Sequence, residues 1–218
     1  MSEEVHVTGM VLMSAPYAEY DRRIVLLTKE RGKITAFARG ARRPTSALLA
    51  ASGTFHFGDF TLYEGRSAYT LAGAHITNYF RQVTKDLENS FYGAYFCELA
   101  HYYGRENLDA SGMLNLLYVS LRALENGKMP RPLIRLVYEI RLMVINGEYP
   151  QDLAEDEGLS ETARFALLFV FTAPLQKLYS FTLSDEVLGE LTKMQGPVLK
   201  RTVDARLKSL EVLESVLG

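Results

Sequence analysis

The sequence predicts an α+β protein with a five-stranded OB-fold barrel over residues 1–80 and an all-helical half over residues 81–218. Two changes along the chain predict this. Apolar residues recur every second position as far as about residue 80, and at helical spacing from Thr84 onward. Charge also segregates: eight basic residues lie between Arg22 and Arg43 against Glu30 alone, whereas residues 81–218 hold 15 basic and 19 acidic residues. The formal net charge of −2 therefore hides a strongly basic segment.

In the first half, Val5, Val7, Gly9, Val11 and Met13 alternate with His6, Thr8, Met10 and Leu12, as expected of a strand. A second strand is expected over Arg22–Thr28, followed by a turn at Glu30-Arg31-Gly32-Lys33 in which Gly32 supplies positive φ. A third runs from Lys33 to Arg39. Beyond a loop containing Pro44, strands over Phe55–Tyr63 and Ala68–Thr77 flank Glu64-Gly65-Arg66. Five short strands in about eighty residues suit a small closed barrel.

The helical half shows three apolar stripes. These are Leu87, Phe91, Tyr95, Leu99 and Tyr102; then Met113, Leu117, Leu121 and Leu124; then Leu133, Leu136, Val137, Ile140 and Val144. The third segment is apolar nearly all round and is expected at the centre. Ser160 and Ser184 stand where N-caps belong, with Asp185 and Glu186 in a first turn. Pro197 is placed to open a last helix carrying Leu199, Val203, Leu207, Leu210 and Leu217.

Composition excludes several classes. Hydrophobic residues are 48% of the 218 and charged residues 23%, which supports a packed core rather than a disordered chain. Met1-Ser2-Glu3-Glu4 lacks the basic and apolar regions of a secretory leader, and no apolar run approaches the ~18 residues of a membrane span. Cys97 is the only cysteine, so neither an intrachain disulfide nor a zinc site of paired cysteines is available, and a cytoplasmic setting is expected. Cys97 and His101 share a helix face, but no third ligand is recognisable and core packing explains the thiol better. Sequence motifs of serine hydrolases, P-loop enzymes and zinc proteases are missing. Asp21, Asp59 and Glu64 could serve a magnesium-dependent nuclease only if folding gathers them. No catalytic residue, metal or cofactor is expected.

The third strand is the most informative element. Alternation puts Lys33, Thr35, Phe37 and Arg39 on one face and Ile34, Ala36 and Ala38 on the other. A ring between cations is what a sequence-tolerant single-strand binder uses: cations follow phosphates while a base stacks on the ring. Arg42 and Arg43 follow beside Gly40, Arg22 and Arg23 precede on the second strand, and Arg66 stands in the fourth–fifth turn. These residues are the expected nucleic-acid interface. The alternative is a solvated charged face, or a barrel that binds protein rather than DNA.

The run Gly9-x-Val11-Leu12, Tyr17-x-Glu19-x-Asp21, Leu26-Leu27-Thr28-Lys29-Glu30-Arg31-Gly32-Lys33 and Ala38-Arg39-Gly40-Ala41-Arg42-Arg43-Pro44 resembles the N-terminal domain of the bacterial RecO recombination mediators. Leu48-Leu49, Phe55, Gly58, Leu62-Tyr63 and Tyr69-Thr70-Leu71 extend the likeness, and Arg141-Leu142 with Asn146-Gly147-Glu148-Tyr149-Pro150 resembles the family more loosely. The resemblance implies binding of single- and double-stranded DNA, annealing of complementary strands, and work with RecR and single-stranded DNA-binding protein in loading RecA. Many members carry a four-cysteine zinc module after the helix equivalent to 132–146. Here Glu148–Glu161 holds six acidic residues and no cysteine, so that module is absent. A solvated loop is the simplest reading of this stretch, with repulsion of DNA or contact with a basic partner as alternatives.

The acidic, hydrophobic tail of single-stranded DNA-binding protein needs a basic residue beside an apolar groove. Arg131 and Arg135, with Arg122 and Lys128 nearby, are the expected receivers, against a plain Arg135–Glu139 helix pair.

Overall fold

The computed structural model describes residues 3–150, 153 and 158–217. Five strands form a closed barrel in the order β1-β2-β3-β5-β4: β1 Glu4–Tyr17, β2 Asp21–Thr28, β3 Gly32–Ala38, β4 Phe57–Tyr63 and β5 Tyr69–Asn78. Neighbouring strands are antiparallel except β3 and β5, which run parallel where Ala36 and Phe37 oppose Tyr69 and Thr70. Gly32 takes φ +64°, as its turn requires, and a side chain there would collide with the Arg105 and Leu108 carbonyls. Strand β4 starts two residues later than expected, because Phe55 turns out of line at φ +71° while donating its amide to Val11 O. The Pro44 loop contains a short helix, α1 (Ala47–Ala51), capped by Ser46.

The alternation of β1 is accurate up to a bulge between Val11 and Met13, after which Met13 lies 45% exposed. Val5, Val7 and Val11 fill the barrel with Ile24, Leu26 and Phe60. The opposite face is not solvated: Met10, Leu12 and Leu27 belong to the core of the helical half. The unbroken apolar run Ile24–Leu27 in β2 reflects this burial on both faces.

The helices are α2 Arg81–Lys85, α3 Leu87–Tyr103, α4 Ser111–Asn126, α5 Arg131–Ile145, α6 Glu161–Thr172, α7 Asp185–Thr202 and α8 Lys208–Leu217, with a 3₁₀ turn at Leu175–Lys177. α5 is central, touching α3, α4, α6 and α7. Ser160 and Ser184 accept from the Ala163 and Val187 amides, as N-caps do.

Two expectations need correction. Leu87 is 70% exposed, and the face of α3 that packs inward carries Tyr92, Phe96, Leu99 and Tyr103 alongside Tyr95. α3 is apolar on several sides, so its stripe had more than one solution. Pro197 does not open the last helix but lies inside α7. That helix continues through it to Thr202, and α8 starts only at Lys208, carrying Leu210; the side chain of Leu217 lies outside the described residues.

One buried polar cluster joins α3, α5 and α8. Glu139, 4% exposed, accepts from Tyr95 Oη and Arg135 Nε, each at 2.7 Å, and Arg135 reaches Glu214 on α8. Burial and the Glu139 charge push the Tyr95 hydroxyl pKa well up. Removing one partner strands the other's charge, so Glu139→Ala is expected to lower stability by about 3 kcal/mol. Tyr95→Phe is expected to cost about 1 kcal/mol. Urea denaturation midpoints measure both.

Candidate nucleic-acid interface

One end of the barrel gathers rings and cations. Arg23 pairs across the sheet with Phe37, and Phe37 with Thr70, so the guanidinium and the ring leave adjacent strands on one outer face. Tyr17, 51% exposed at the end of β1, tilts against Phe37 with centroids 4.7 Å apart. Phe37 stays on the outside because Ile34, Ala36 and Ala38 take the interior.

The loop after β3 is tied to the β1–β2 hairpin. Asp21 accepts from the Gly40 amide at 2.7 Å, where Gly40 has φ +66°. The Arg42 amide donates to Tyr20 O at 2.8 Å, and its guanidinium donates to the Glu19 carbonyl at 3.0 Å. Arg43 lies over the Tyr20 ring, 5.0 Å from its centroid. Asp21 opens β2, and among the described residues neither it nor Glu19 forms an ion pair with Arg22 or Arg23. Asp21 is used to shape the loop, and Glu19 contributes its carbonyl.

The eight barrel residues proposed from sequence divide into groups. Arg23, Phe37, Arg39, Arg42 and Arg43 lie together, and neither the Arg23 nor the Arg39 side chain makes a hydrogen bond or ion pair among the described residues. Arg22 points elsewhere, reaching Ser14 Oγ and Ser52 O at 3.4 Å, beside α1. Arg66 is exposed in the loop before Tyr69, beyond the opposite end of β3. Lys33 is on the predicted face but beneath the end of α3, where Nζ donates to His101 O at 2.6 Å. Sequence reasoning missed Tyr17 and Tyr20; two tyrosines bracketing a hairpin turn beside the basic strand were the available signal.

Among the helical candidates, Arg131 donates to Asn89 and pairs with Asp86 and Glu88, while Arg135 is held by Glu139 and Glu214. Arg122 pairs with Glu125. Lys128 has no such partner among the described residues and stands between two hollows, of about 580 and 230 Å³. Met129 and Tyr179 line the smaller one.

Asp21, Asp59 and Glu64 do not converge. Asp59 accepts from Thr8 Oγ1 at 2.7 Å, and Glu64 lies 4.0 Å from Arg31. Cys97 is buried, its thiol pKa pushed up by desolvation, and among the described residues no group of three potential ligands accompanies it. Residues 151, 152 and 154–157 of the acidic stretch lie outside the described residues.

A closed OB-type barrel with rings and guanidinium groups gathered at one end, joined to helices, has the architecture of the OB-fold class, whose members include nucleic-acid binders. Comparison with known proteins makes the assignment particular. Residues 1–80 match the family model described as recombination protein O N terminal, and residues 84–152 match recombination protein O C terminal. The "DNA repair protein RecO" of Acetivibrio thermocellus is 28% identical, the match covering 96% of each chain. That of Symbiobacterium thermophilum is 29% identical, with 97% of each covered. The Alkaliphilus metalliredigens relative is 34% identical over 67% of this chain and 59% of its own. The chain belongs to the RecO family.

Asp21 orders the arginine loop through a single amide, and its loss is expected to loosen that loop alone. In Asp21→Ala the Gly40 amide should exchange about five- to tenfold faster, equivalent to about 1 kcal/mol. Hydrogen exchange at Gly40 checks this, with the amides of β2 serving as the unchanged reference.

Proposed function

We propose that this chain is a DNA repair and recombination mediator that holds single-stranded DNA on the open end of its barrel. The carrying observation is the outer row of Arg23 and Phe37, extended by Tyr17 and flanked by Arg39, Arg42 and Arg43. Guanidinium groups neutralise phosphates and release counterions, while bases stack on Tyr17 and Phe37. Because those contacts read backbone and ring faces, binding is tolerant of sequence. Double-stranded DNA meets the same cations with less stacking.

Annealing follows from the same surface. Two phosphate chains repel, and cations shared between them lower that repulsion while bases pair. No covalent bond is made or broken, so the activity requires no catalytic group. Family membership supports RecR, single-stranded DNA-binding protein and RecA loading as the working context, in the cytoplasm with the nucleoid. With Arg131 and Arg135 engaged inside the chain, Lys128 beside Met129 and Tyr179 is the better-placed receiver for an acidic, hydrophobic tail.

Replacing Arg39, Arg42 and Arg43 together with Gln is expected to weaken oligonucleotide binding for every sequence and flatten the log–log salt slope by about two. Tyr17→Ala should weaken single-strand binding more than duplex binding. Anisotropy titrations at several salt concentrations measure both, and an unchanged slope in the triple variant removes the loop from the DNA path. Annealing of strands coated with the cognate single-stranded DNA-binding protein distinguishes a mediator from a simple polycation, which should stall on them.

A further inference from the structure

The outer face of β3 does not end at Phe37. It continues through Thr35 into a cleft of about 220 Å³ between the barrel and the turn after α3. Val25, Lys33, Thr35, His101, Gly104 and Arg105 are among its lining residues. Two cations, Lys33 and Arg105, converge here, and the one carboxylate among the lining residues, Glu106, forms no ion pair with either among the described residues. Lys33 gives one of its three donors to His101 O, and Arg105 uses one terminal nitrogen on the Tyr102 and Gly104 carbonyls. The remaining donors of both have no partner among the described residues.

Four carboxylates lie nearby: Glu3, Glu64 and Glu106 act on the Tyr69 hydroxyl in the cleft wall, with Glu64 itself 4.0 Å from Arg31, and Glu98 lies on α3. Glu98 is consumed by the Lys208 and Ser209 amides, where it caps α8. Glu106 lines the cleft but makes no ion pair among the described residues. Burial and the Arg105 charge lower the Lys33 pKa, and the His101 imidazole is lowered by burial and then by Lys33 and Arg23. Capping the C-terminal carbonyls of α3 explains one donor from each cation. It does not explain bringing two cations together in a partly desolvated cleft.

We propose that this cleft is a second phosphate-binding site, at which Lys33 of the barrel and Arg105 of the helical half together hold the backbone of a DNA strand arriving from the barrel end. The proposal rests on the single-strand reading above and extends it. The strand path then follows the outer face of β3 from Arg39 past Phe37 and Thr35 to Lys33. That is about 20 Å of extended chain, inside the ~4–16-nucleotide footprint of an OB barrel. The helices become part of the interface instead of a mere support for the barrel.

Arg105→Gln is the informative variant, because Arg105 is exposed whereas Lys33 is packed beneath α3. Binding of two oligothymidines is compared, one near the ~4-nucleotide and one near the ~16-nucleotide limit of such a footprint. The longer is expected to bind about three- to tenfold more weakly, with a salt slope flatter by about 0.7, the value of one single-strand phosphate contact. The shorter, which only just spans that ~20 Å path, is expected to lose less than the longer, and Lys177→Gln, which removes the same charge outside the cleft, is expected to leave both unaffected. Binding of the longer strand should also raise the NMR titration midpoint of His101 by placing a phosphate beside it.

Wild-type affinity and slope in Arg105→Gln, with loss of binding in the Arg39/Arg42/Arg43 variant, would overturn the second site and leave the barrel reading intact. If neither arginine set matters, the barrel reading fails as well. A His101 response to inorganic phosphate but not to the longer oligonucleotide makes the cleft a free-anion site, which equally overturns the strand path.

Discussion

The arrangement depends on the burial of both faces of β1 and β2. A small barrel needs only its interior filled, and here Val5, Val7, Ile24 and Leu26 do that. Met10, Leu12 and Leu27 point the other way into the core containing Tyr95, Phe96 and Leu99. Burying several such side chains at roughly 1.5–3 kcal/mol each fixes the barrel against the helices. It also decides which part of the barrel surface stays open. α3 covers the Lys33–Leu27 row of β2 and β3, while the Arg23–Phe37 row lies beyond it.

Electrostatics then separates the two halves more sharply than net charge suggests. The helical arginines singled out by sequence are neutralised within the chain: Arg122 by Glu125, Arg131 by Asp86 and Glu88, Arg135 by Glu139 and Glu214. Arg141 is spent on the Val170, Phe171 and Ala173 carbonyls. At the barrel end, Arg42 and Arg43 meet carbonyls and a ring, and no carboxylate among the described residues. A carbonyl orients a guanidinium without cancelling its charge, so these groups are held in place and remain attractive to a polyanion.

Much of this was legible because the signals were redundant. Period-two alternation, turn glycines and β-branched residues agreed along the barrel, and the outer placement of Phe37 followed from alternation alone. Helix α3 was harder: with Tyr92, Tyr95, Phe96 and Leu99 all apolar, several stripes fit equally well and the chosen one left Leu87 outside. Pro197 misled because proline usually opens helices, and only packing around Leu191, Val198 and Leu199 carries α7 through it. The partners of Arg131 lie more than forty residues away in sequence, at a distance that periodicity does not address. The roles of Tyr17 and Tyr20 were not legible because alternation does not say that rings at a hairpin end will meet Phe37 and Arg43.

The helical half also bears on the chemistry expected of the family. The matched relatives align over 241 and 246 positions, more than the 218 residues of this chain, so they contain segments that it lacks. The C-terminal family match stops at residue 152, inside the acidic stretch, which holds no cysteine where the resemblance to RecO proteins raised the question of a zinc module. α5 is closed by its own backbone: the Gly147 and Glu148 amides return to Val144 O and Met143 O, and Gly147 takes φ +71°. Tyr149 packs on Phe171, and the Ser160 cap starts α6 while bonding Glu190 of α7. Hydrogen-bonded caps and aromatic packing on either side of that stretch therefore tie α5, α6 and α7 together. The barrel cations are positioned instead by β2, β3 and their loops, so the proposed DNA surface does not depend on how the far end of α5 is closed.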